Sequence, residues 1–440
     1  MRKTIAFIMV ILTTVTFVAA QPKVSEKQEI AIFAMGYYGY KIPAEALATI
    51  DVEIQKVFLD LGRFTVIGMD KRFSSNDVTE FISLIKKVKE QNFEIPAKYR
   101  FGEEVFTEAD FNRLIGAFII VIPVVTNYNS QFNNSQNRWE TNIKTTVTFI
   151  EAATGTMIGI ADVESRGNSK ETEFKSIKGA IDGIPLQLQY EIRKIPQFQN
   201  QTKVVSTKLG SVTLLLGQNM GVKKGDEYAI IVTENIDGYT NEREVGLVKI
   251  KDVGTTSSEG IVLYSNVKVQ KDTQLREIPR TGGEVSAYAH LASFPNSTTR
   301  EALALGLKIS MTRGYFGLMP YGFAQILLSD TKGYPIGFGF GGEYALYLGR
   351  LELAGRVGLA GSSCILITWL QDVLSNKDDT YFTHYGLNAG AYLSYLLSND
   401  TKIYASIQFD YMLGLLSGMG LGEWFDSYSA TSIGLGVTFK

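Results

Sequence analysis

Cysteine and histidine are almost missing: of 440 residues, one is Cys and two are His. A single thiol, Cys364, excludes a disulfide framework and a cysteine-rich zinc site. His290 and His384 leave little for imidazole ligation or serine–histidine catalysis. Neither sign of charge is in excess, with 43 Lys+Arg against 45 Asp+Glu and a net charge of −2. A nucleic-acid binder would carry a basic patch or stripe, so that class is excluded. The chain has no G-x-x-x-x-G-K-[ST], H-E-x-x-H or G-x-S-x-G motif. After the first twenty residues it also has no run of 18 apolar residues that a membrane helix would need. The expectation is a chain that is not an enzyme and holds no cofactor or metal.

What is present begins with an address. Arg2 and Lys3 precede the mainly apolar run Ile5 to Val18, and Val18-Ala19-Ala20 is a small-residue cleavage site. Residues 1–20 therefore read as a signal peptide. No Cys follows the run, so a lipid tether at the mature start is not expected.

Composition then splits the mature chain. The stretch 284–440 holds only 9 Lys+Arg and 12 Asp+Glu, a much thinner charge density than the chain before it, and half of the 42 glycines. Aromatic residues go the other way and are concentrated in this last third. Within it, large apolar residues recur at every second position: Leu303 to Met311, Ile336 to Leu348, Leu351 to Leu359, Ile403 to Leu413. Gly, Ala and Ser dominate the positions between. Period two puts each set on one face of a strand, and a greasy face backed by a small-residue face is lipid-out, lumen-in patterning. A soluble sandwich would place charge on its outer face instead.

Eight strands are expected: 284–293, 301–312, 315–328, 335–348, 350–361, 381–396, 401–415 and 429–440. The fold class is thus multidomain, ending in a transmembrane antiparallel β-barrel of about eight strands. Short turns near 312–314, 349–350 and 399–400 would face the periplasm. The long loops 362–380 and 416–428 would face outside, and Cys364 and Trp369 belong to the first of them. Lys308, Glu343, Glu352, Arg356 and Asp410 fall on the inner face, together with His384. Buried charges need partners, so a filled lumen with paired charges is favoured over an ion path. The run Gly337-x-Gly339-x-Gly341-Gly342 lies inside an alternating strand and reads as small lumen-facing residues, not as a nucleotide loop.

Ser432-x-Gly434-x-x-Val437-x-Phe439 resembles the carboxy-terminal β-signal of outer-membrane proteins, with Lys440 following where the aromatic is normally last. That resemblance implies outer-membrane lipid and the barrel-assembly machinery as partners.

Residues 28–195 alternate strands and helices: 29–33, a helix over 44–61, 64–67, a helix over 77–90, a short helix after 107–110, a buried strand over 117–125, then 145–150 and 157–163. Ile177 to Ile195 mark a final amphipathic helix, kinked at Pro185. Ile30-Ala31-Ile32-Phe33, Leu61-Gly62-Arg63-Phe64-Thr65-Val66-Ile67, Asp70-Lys71-Arg72 and Glu151-Ala152-Ala153-Thr154-Gly155 resemble, in that order, the amino-terminal domain of TolB and the related CsgG family. The resemblance runs the length of this alternating region and implies a periplasmic α/β module used for protein contacts. The lipidation Cys and membrane hairpins of a CsgG pore are not seen. Residues 203–279 read as short strands between Gly turns, a small β-barrel. Their Gly221-Val222-Lys223-Lys224-Gly225-Asp226 turn resembles the carboxy-terminal domain of FlgT flagellar-assembly proteins. Stretches 196–201 and 279–283 read as linkers.

The domains expected are the signal peptide 1–20, an α/β domain 21–200, a small β domain 201–280 and a barrel 284–440. The chain is expected in the bacterial outer membrane with its amino-terminal domains in the periplasm, acting as a scaffold or assembly factor. The alternative is an oligomeric secretion conduit. Unidentified periplasmic proteins and further copies of the chain are the candidate partners, and nucleic acid is not.

Overall fold

The computed structural model describes residues 24–440 apart from 39–40, 68–79, 81, 84–97, 102–103, 108–118, 237–238, 296–300, 329–335, 364–383 and 415–426. Three sheets dominate it: one mixed open sheet and two closed antiparallel barrels.

The open sheet contains β1 (Gln28–Ile32), β2 (Gly36–Tyr37) and β3 (Phe64–Ile67), with β6 (Ile119–Asn133), β7 (Arg138–Glu151) and β8 (Met157–Ser169). A separate hairpin pairs β4 (Lys98–Phe101) with β5 (Glu104–Thr107). In the open sheet β1 lies parallel to both β3 and β6, while β6, β7 and β8 follow one another antiparallel. Helices α1 (Ala44–Leu61), α2 (Glu173–Asp182) and α3 (Ile184–Lys194) cover one face. Their apolar stripes bury Ile50, Ile54, Phe58, Ile181, Leu188 and Ile192 against Val121, Ile143 and Phe149, the 3.6-residue period meeting the period of two.

Two expectations need correction here. The closing helix is not one kinked rod. It breaks at Gly183, and Pro185 sits in the first turn of α3, where its missing N–H has no helical acceptor to lose. The strands also run far past 117–125, 145–150 and 157–163. A bulge between Val125 and Asn127 shifts the phase of β6, so the helix-facing positions change from odd (Val121, Val125) to even (Tyr128, Phe132). An unbroken period of two cannot be read across such a shift. The helices expected over 77–90 and after 107–110 lie largely outside the described residues.

The first closed barrel has six strands: β9 (Gln201–Lys208), β10 (Ser211–Leu214), β11 (Glu227–Ile236), β12 (Tyr239–Val253), β13 (Ser258–Ser265) and β14 (Gln274–Ile278). Val212, Leu214, Tyr228, Ile230, Val248 and Leu275 fill it. The stretches expected as linkers are not loose. Phe198 is buried in the α/β core, edge-on to Phe149 at 4.9 Å and Phe64 at 5.3 Å, and Gln201 already belongs to β9. At the other junction Gly283 already belongs to the next barrel.

That second barrel has eight strands: β15 (Gly283–Ser293), β16 (Glu301–Met311), β17 (Leu318–Leu328), β18 (Ile336–Leu348), β19 (Leu351–Ser363), β20 (His384–Leu396), β21 (Thr401–Gly414) and β22 (Tyr428–Phe439). They pair in chain order, and β15 closes on β22 from Val285↔Phe439 to Ser293↔Thr431. An even strand count brings both barrel ends to the same rim. Three short connections share that rim: 312–317, 349–350 and 397–400. The connections holding 364–383 and 415–426 leave from the opposite rim, so Cys364 and Trp369 lie outside the described residues.

Inward glycines receive rings from neighbouring strands. A Cβ on Gly306 would lie 2.3 Å from the Tyr288 ring, one on Gly436 2.3 Å from Tyr404, and one on Gly434 2.0 Å from His290. The lumen is narrow enough that each aromatic side chain needs a neighbour with none.

Candidate functional site: a filled barrel on a buried ionic joint

The outside of the eight-stranded barrel is greasy. Of the 44 large hydrophobic side chains left exposed among the described residues, 30 lie between Val285 and Phe439. A soluble protein rarely exposes an apolar patch beyond a few hundred Å². Rings mark both edges of this surface: Tyr344, Tyr395 and Phe439 towards the short-turn rim, Tyr385 and Tyr411 towards the other. Along β20, Tyr385 and Tyr395 are ten residues apart. At ~3.4 Å per residue and a tilt of ~40°, that is about 26 Å along the barrel axis, close to the ~25 Å apolar band of a transmembrane barrel. No described helix is long and apolar enough to cross a membrane.

The inside is filled and polar. Lys308, Glu343, Glu352, Arg356, Asp410 and His384 all point inward and are buried. Lys308 Nζ donates to Glu343 Oε2 at 2.6 Å and lies 4.6 Å over the Tyr392 ring. Arg356 donates to Gln408 and lies over the faces of Tyr321 and Phe323. Asp410 accepts from Asn388 and Gln408. Glu352 binds Lys402 at 2.9 Å, and Lys402 also binds Glu284 at 2.8 Å. These last two partners were not singled out in the sequence, although following the alternation of β21 back by two residues reaches Lys402. Of the last-strand positions that resemble a β-signal, Ser432 and Gly434 face the lumen while Val437 and Phe439 lie on the outer face. His290 Nε2 lies 2.9 Å from Ser406 Oγ, a pairing enclosed inside the packed lumen.

The short-turn rim is closed from below by the six-stranded barrel. Leu247 and Leu263 of that barrel bury against Leu396 of the larger one. Lys249 is fully buried, with its Nζ 4.9 Å from the Tyr347 ring. Burial would lower the Lys249 ammonium, but Tyr347 and Glu284 outweigh it and hold the group above its ordinary value, hence charged. Glu227 accepts from Lys440 at 2.6 Å and from Arg280 at 3.1 Å. Burial would raise its carboxyl, and Lys440 and Arg280 draw it below the usual range. Arg280 reaches on to Asp400 and to the Asn399 carbonyl, and Arg350 stacks 3.7 Å from the Tyr264 ring. The gap left between Lys249, Tyr347, Glu352, Lys402 and Lys440 is about 10 Å³, at the lower limit for one water.

Beside this floor, all three sheets meet at a second cluster. Gly62 ends α1 with φ 67° and packs back to back with Gly221, whose φ is 71°. A Cβ on Gly221 would stand 1.9 Å from the Leu61 carbonyl oxygen, and one on Gly225 2.0 Å from that of Thr312. The two turns that suggested separate family resemblances are thus in contact with each other and with the barrel rim. Arg63 grips Glu277 through Nη1 at 2.7 Å and Nη2 at 3.2 Å, and Arg193 Nε donates to the same carboxylate at 2.6 Å. Asp226 takes Arg313 Nε at 2.9 Å and the Lys223 backbone N–H at 2.9 Å. Arg193 Nη2 bridges to Asp226 at 3.5 Å. Burial would raise the Glu277 carboxyl, yet Arg193 and Arg63 hold it far below the usual carboxylate range. Burial also pushes Arg313 down, against the pull of Asp226. Nothing in spacing brings Arg63, Arg193, Asp226, Glu277 and Arg313 together, because each comes from a different element.

No protein-family model matches the chain, and no curated protein matches it. Among solved structures, Neisserial surface protein A is similar at 17% identity, over 36% of this chain and 97% of that one, with a TM-score of 0.27. Ail, the attachment invasion locus protein of Yersinia pestis, is similar at 10% identity over 36% and 95%, with a TM-score of 0.24. Lipoprotein GNA1162 from Neisseria meningitidis is similar at 10% identity over 33% and 86%, with a TM-score of 0.20.

Proposed function

We propose that this chain is a non-conducting, non-catalytic anchor of the bacterial outer membrane. It would hold a TolB/CsgG-like α/β layer and a FlgT-like small barrel at a fixed place in the periplasm as a scaffold for envelope proteins. One observation carries the reading: a barrel with a ring-bordered apolar exterior about 26 Å tall is filled with paired charges and stopped at one rim by the next unit of the same chain. Outer-membrane barrels keep their short turns on the periplasmic side, which supports a periplasmic position for the short-turn rim and the units docked on it. The apolar wall is solvated by lipid, and the terminal strand is what the assembly machinery would take hold of. A secretion conduit through this lumen would have to expel Lys402, Lys249 and Tyr347 from a gap with room for at most one water, so the scaffold reading is preferred.

Two measurements test it. In planar bilayers the purified chain should give no sustained conductance; steady channel steps from the intact protein would refute the plug. On intact cells a membrane-impermeant maleimide should label the native thiol of Cys364. It should not label Cys introduced as Asn134→Cys in a Cys364→Ser background until the outer membrane is opened. The reverse pattern would end the orientation argument.

A further inference from the structure

We propose that the six-stranded barrel grips the inner leaflet of the outer membrane through its end remote from the α/β layer. The partner at that end is an anionic phospholipid surface. The proposal rests on the outer-membrane reading above.

Strands β9 and β10 join through a two-residue turn, Leu209-Gly210, closed by the pair Lys208↔Ser211. Both turn residues have positive φ, 41° and 82°, the geometry that favours Asn-Gly or Asp-Gly. Leu209 holds this left-handed backbone with its side chain fully exposed. A single exposed leucine is ordinary. One kept in a conformation that side chains resist, with no packing to offset it, marks a tip shaped for contact outside the chain.

The fold carries that tip to the membrane edge of the larger barrel. The Gly210 carbonyl accepts from the Val262 N–H at 2.9 Å. Val262 points into the small barrel. Ile261 and Leu263 beside it point out and pack at the short-turn rim, Leu263 against Leu396. The Leu263 carbonyl oxygen lies 3.5 Å from where a Cβ on Gly349 would stand. Gly210 and Gly349 are therefore within about 15 Å of each other. Leu348 and Leu351, which flank Gly349, are exposed on the lipid face. Next along β13, Tyr264 stacks on Arg350 and donates to Asn399 Oδ1 at 2.6 Å. Three residues on, Val267 is exposed in the loop that leaves the same end of the small barrel.

Charge selects the partner. The described carboxylates at this end are paired: Glu234 with Arg243 at 2.9 Å, Glu242 and Glu244 with Arg276 at 2.7 and 3.3 Å, and Asp272 with Lys203 at 3.0 Å. Lys208, Lys268 and Lys271 are exposed and have no ion pair among the described residues. Apolar tips bordered by free lysines suit the interface of an anionic bilayer. The leucine enters the acyl boundary while the ammonium groups stay among the phosphates.

The test uses the full chain reconstituted in phosphatidylcholine vesicles, with and without phosphatidylglycerol, carrying nitroxide-labelled acyl chains. A fluorophore is attached at Leu209→Cys in a Cys364→Ser background. Asn134→Cys, on the exposed turn between β6 and β7, and Phe340→Cys, on the barrel wall, are the comparison sites. The nitroxides should quench at 340 in both vesicles, at 209 chiefly in anionic vesicles, and not at 134. The three lysines are worth on the order of a hundredfold in the equilibrium between inserted and free tips. Lys208→Gln, Lys268→Gln and Lys271→Gln together should therefore abolish the gain that phosphatidylglycerol gives. Heat-modifiable migration checks that each variant barrel is folded. An unquenched 209 beside a quenched 340 overturns the proposal and leaves the barrel reading standing. An unquenched 340 sinks the barrel reading, and this one with it. Quenching at 209 that ignores phosphatidylglycerol, or a gain that survives the triple variant, overturns the assignment to an anionic surface. Equal quenching at 134 overturns it too, because the dye alone would then be seeking the bilayer.

Discussion

Glu277→Ala should release the α/β layer from its mount. Glu277 and Arg63 have side chains only 1% and 4% exposed, and Arg193 only 1%. The carboxylate accepts from Arg63 twice, from Arg193 once and from the Asn200 backbone N–H at 3.0 Å. Truncation leaves two buried guanidiniums without their carboxylate, although Arg63 keeps the Phe198 carbonyl at 2.7 Å and Arg193 keeps Asp226 at 3.5 Å and the Arg280 carbonyl at 3.1 Å. Removing one partner of a buried ion pair costs about 3–5 kcal/mol. Arg63→Ala should cost less, about 2 kcal/mol, because Glu277 keeps Arg193 and Asn200. The assay is urea unfolding of the full chain in micelles, following Trp139 in the Trp369→Phe, Trp424→Phe background, while the barrel is tracked by heat-modifiable migration. With a urea slope of about 2 kcal/mol per molar, the Glu277→Ala midpoint should fall by about 2 M. A shift below about 0.5 M, or an Arg63→Ala effect larger than that of Glu277→Ala, would show that the cluster does not hold the joint.

The same carboxylate fixes a pH dependence. Its folded value is depressed, so its stabilisation is complete above the unfolded carboxyl value of about 4.3 and is lost as pH falls from there towards the folded value. The Trp139 urea midpoint should be flat from pH 7 to about 5 and drop below about pH 4.5, with a shallower drop in Glu277→Gln; an equal drop in both would assign the acid sensitivity elsewhere. Gly434→Leu places a side chain where the His290 ring lies, so the barrel should fail to reach its heat-modifiable form, whereas Leu435→Ile on the outer face should fold normally. Phe340→Lys on the lipid face should cost about 2–4 kcal/mol in barrel stability, read from unfolding in lipid vesicles. A cost near zero there would mean that this face is not in hydrocarbon.

The eight-stranded barrel was the most legible part of the sequence, because period two is written directly in residues such as Leu303, Leu305, Leu307 and Ile309, and all eight strands lie within a few residues of where the alternation puts them. The α/β strands were half legible. Their buried halves announce themselves as apolar runs, while the outer halves of β6 and β7 are spelled in Asn, Gln, Ser and Thr, held in place by pairing rather than by burial. The bulge at Val125–Asn127 also reverses the phase that a reader of alternation would follow. The lumen charges could be assigned a face but not partners, since Lys308 and Glu343 are 35 residues apart and meet only through strand register. The joint was not legible at all. Asp226 and Glu227 are neighbours in sequence, yet period two sends one towards Arg193 and Arg313 and the other to Lys440. Only the assembled contacts explain why both are buried.

That divergence ties the joint to the closure of the larger barrel. The Glu227 site on the six-stranded barrel is built from an early part of the chain, and Arg280 reaches it through a short connection. Its third member, Lys440, follows immediately on the strand that closes the eight-stranded barrel. Until β22 has paired with β15, this buried carboxylate has Arg280 but lacks Lys440, and the mount lacks a contact. A barrel closed out of register by two residues would keep its faces correct but carry Lys440 about 7 Å from where it is needed. A barrel closed in register thus supplies the last ionic contact of the joint, and one that has slipped withholds it.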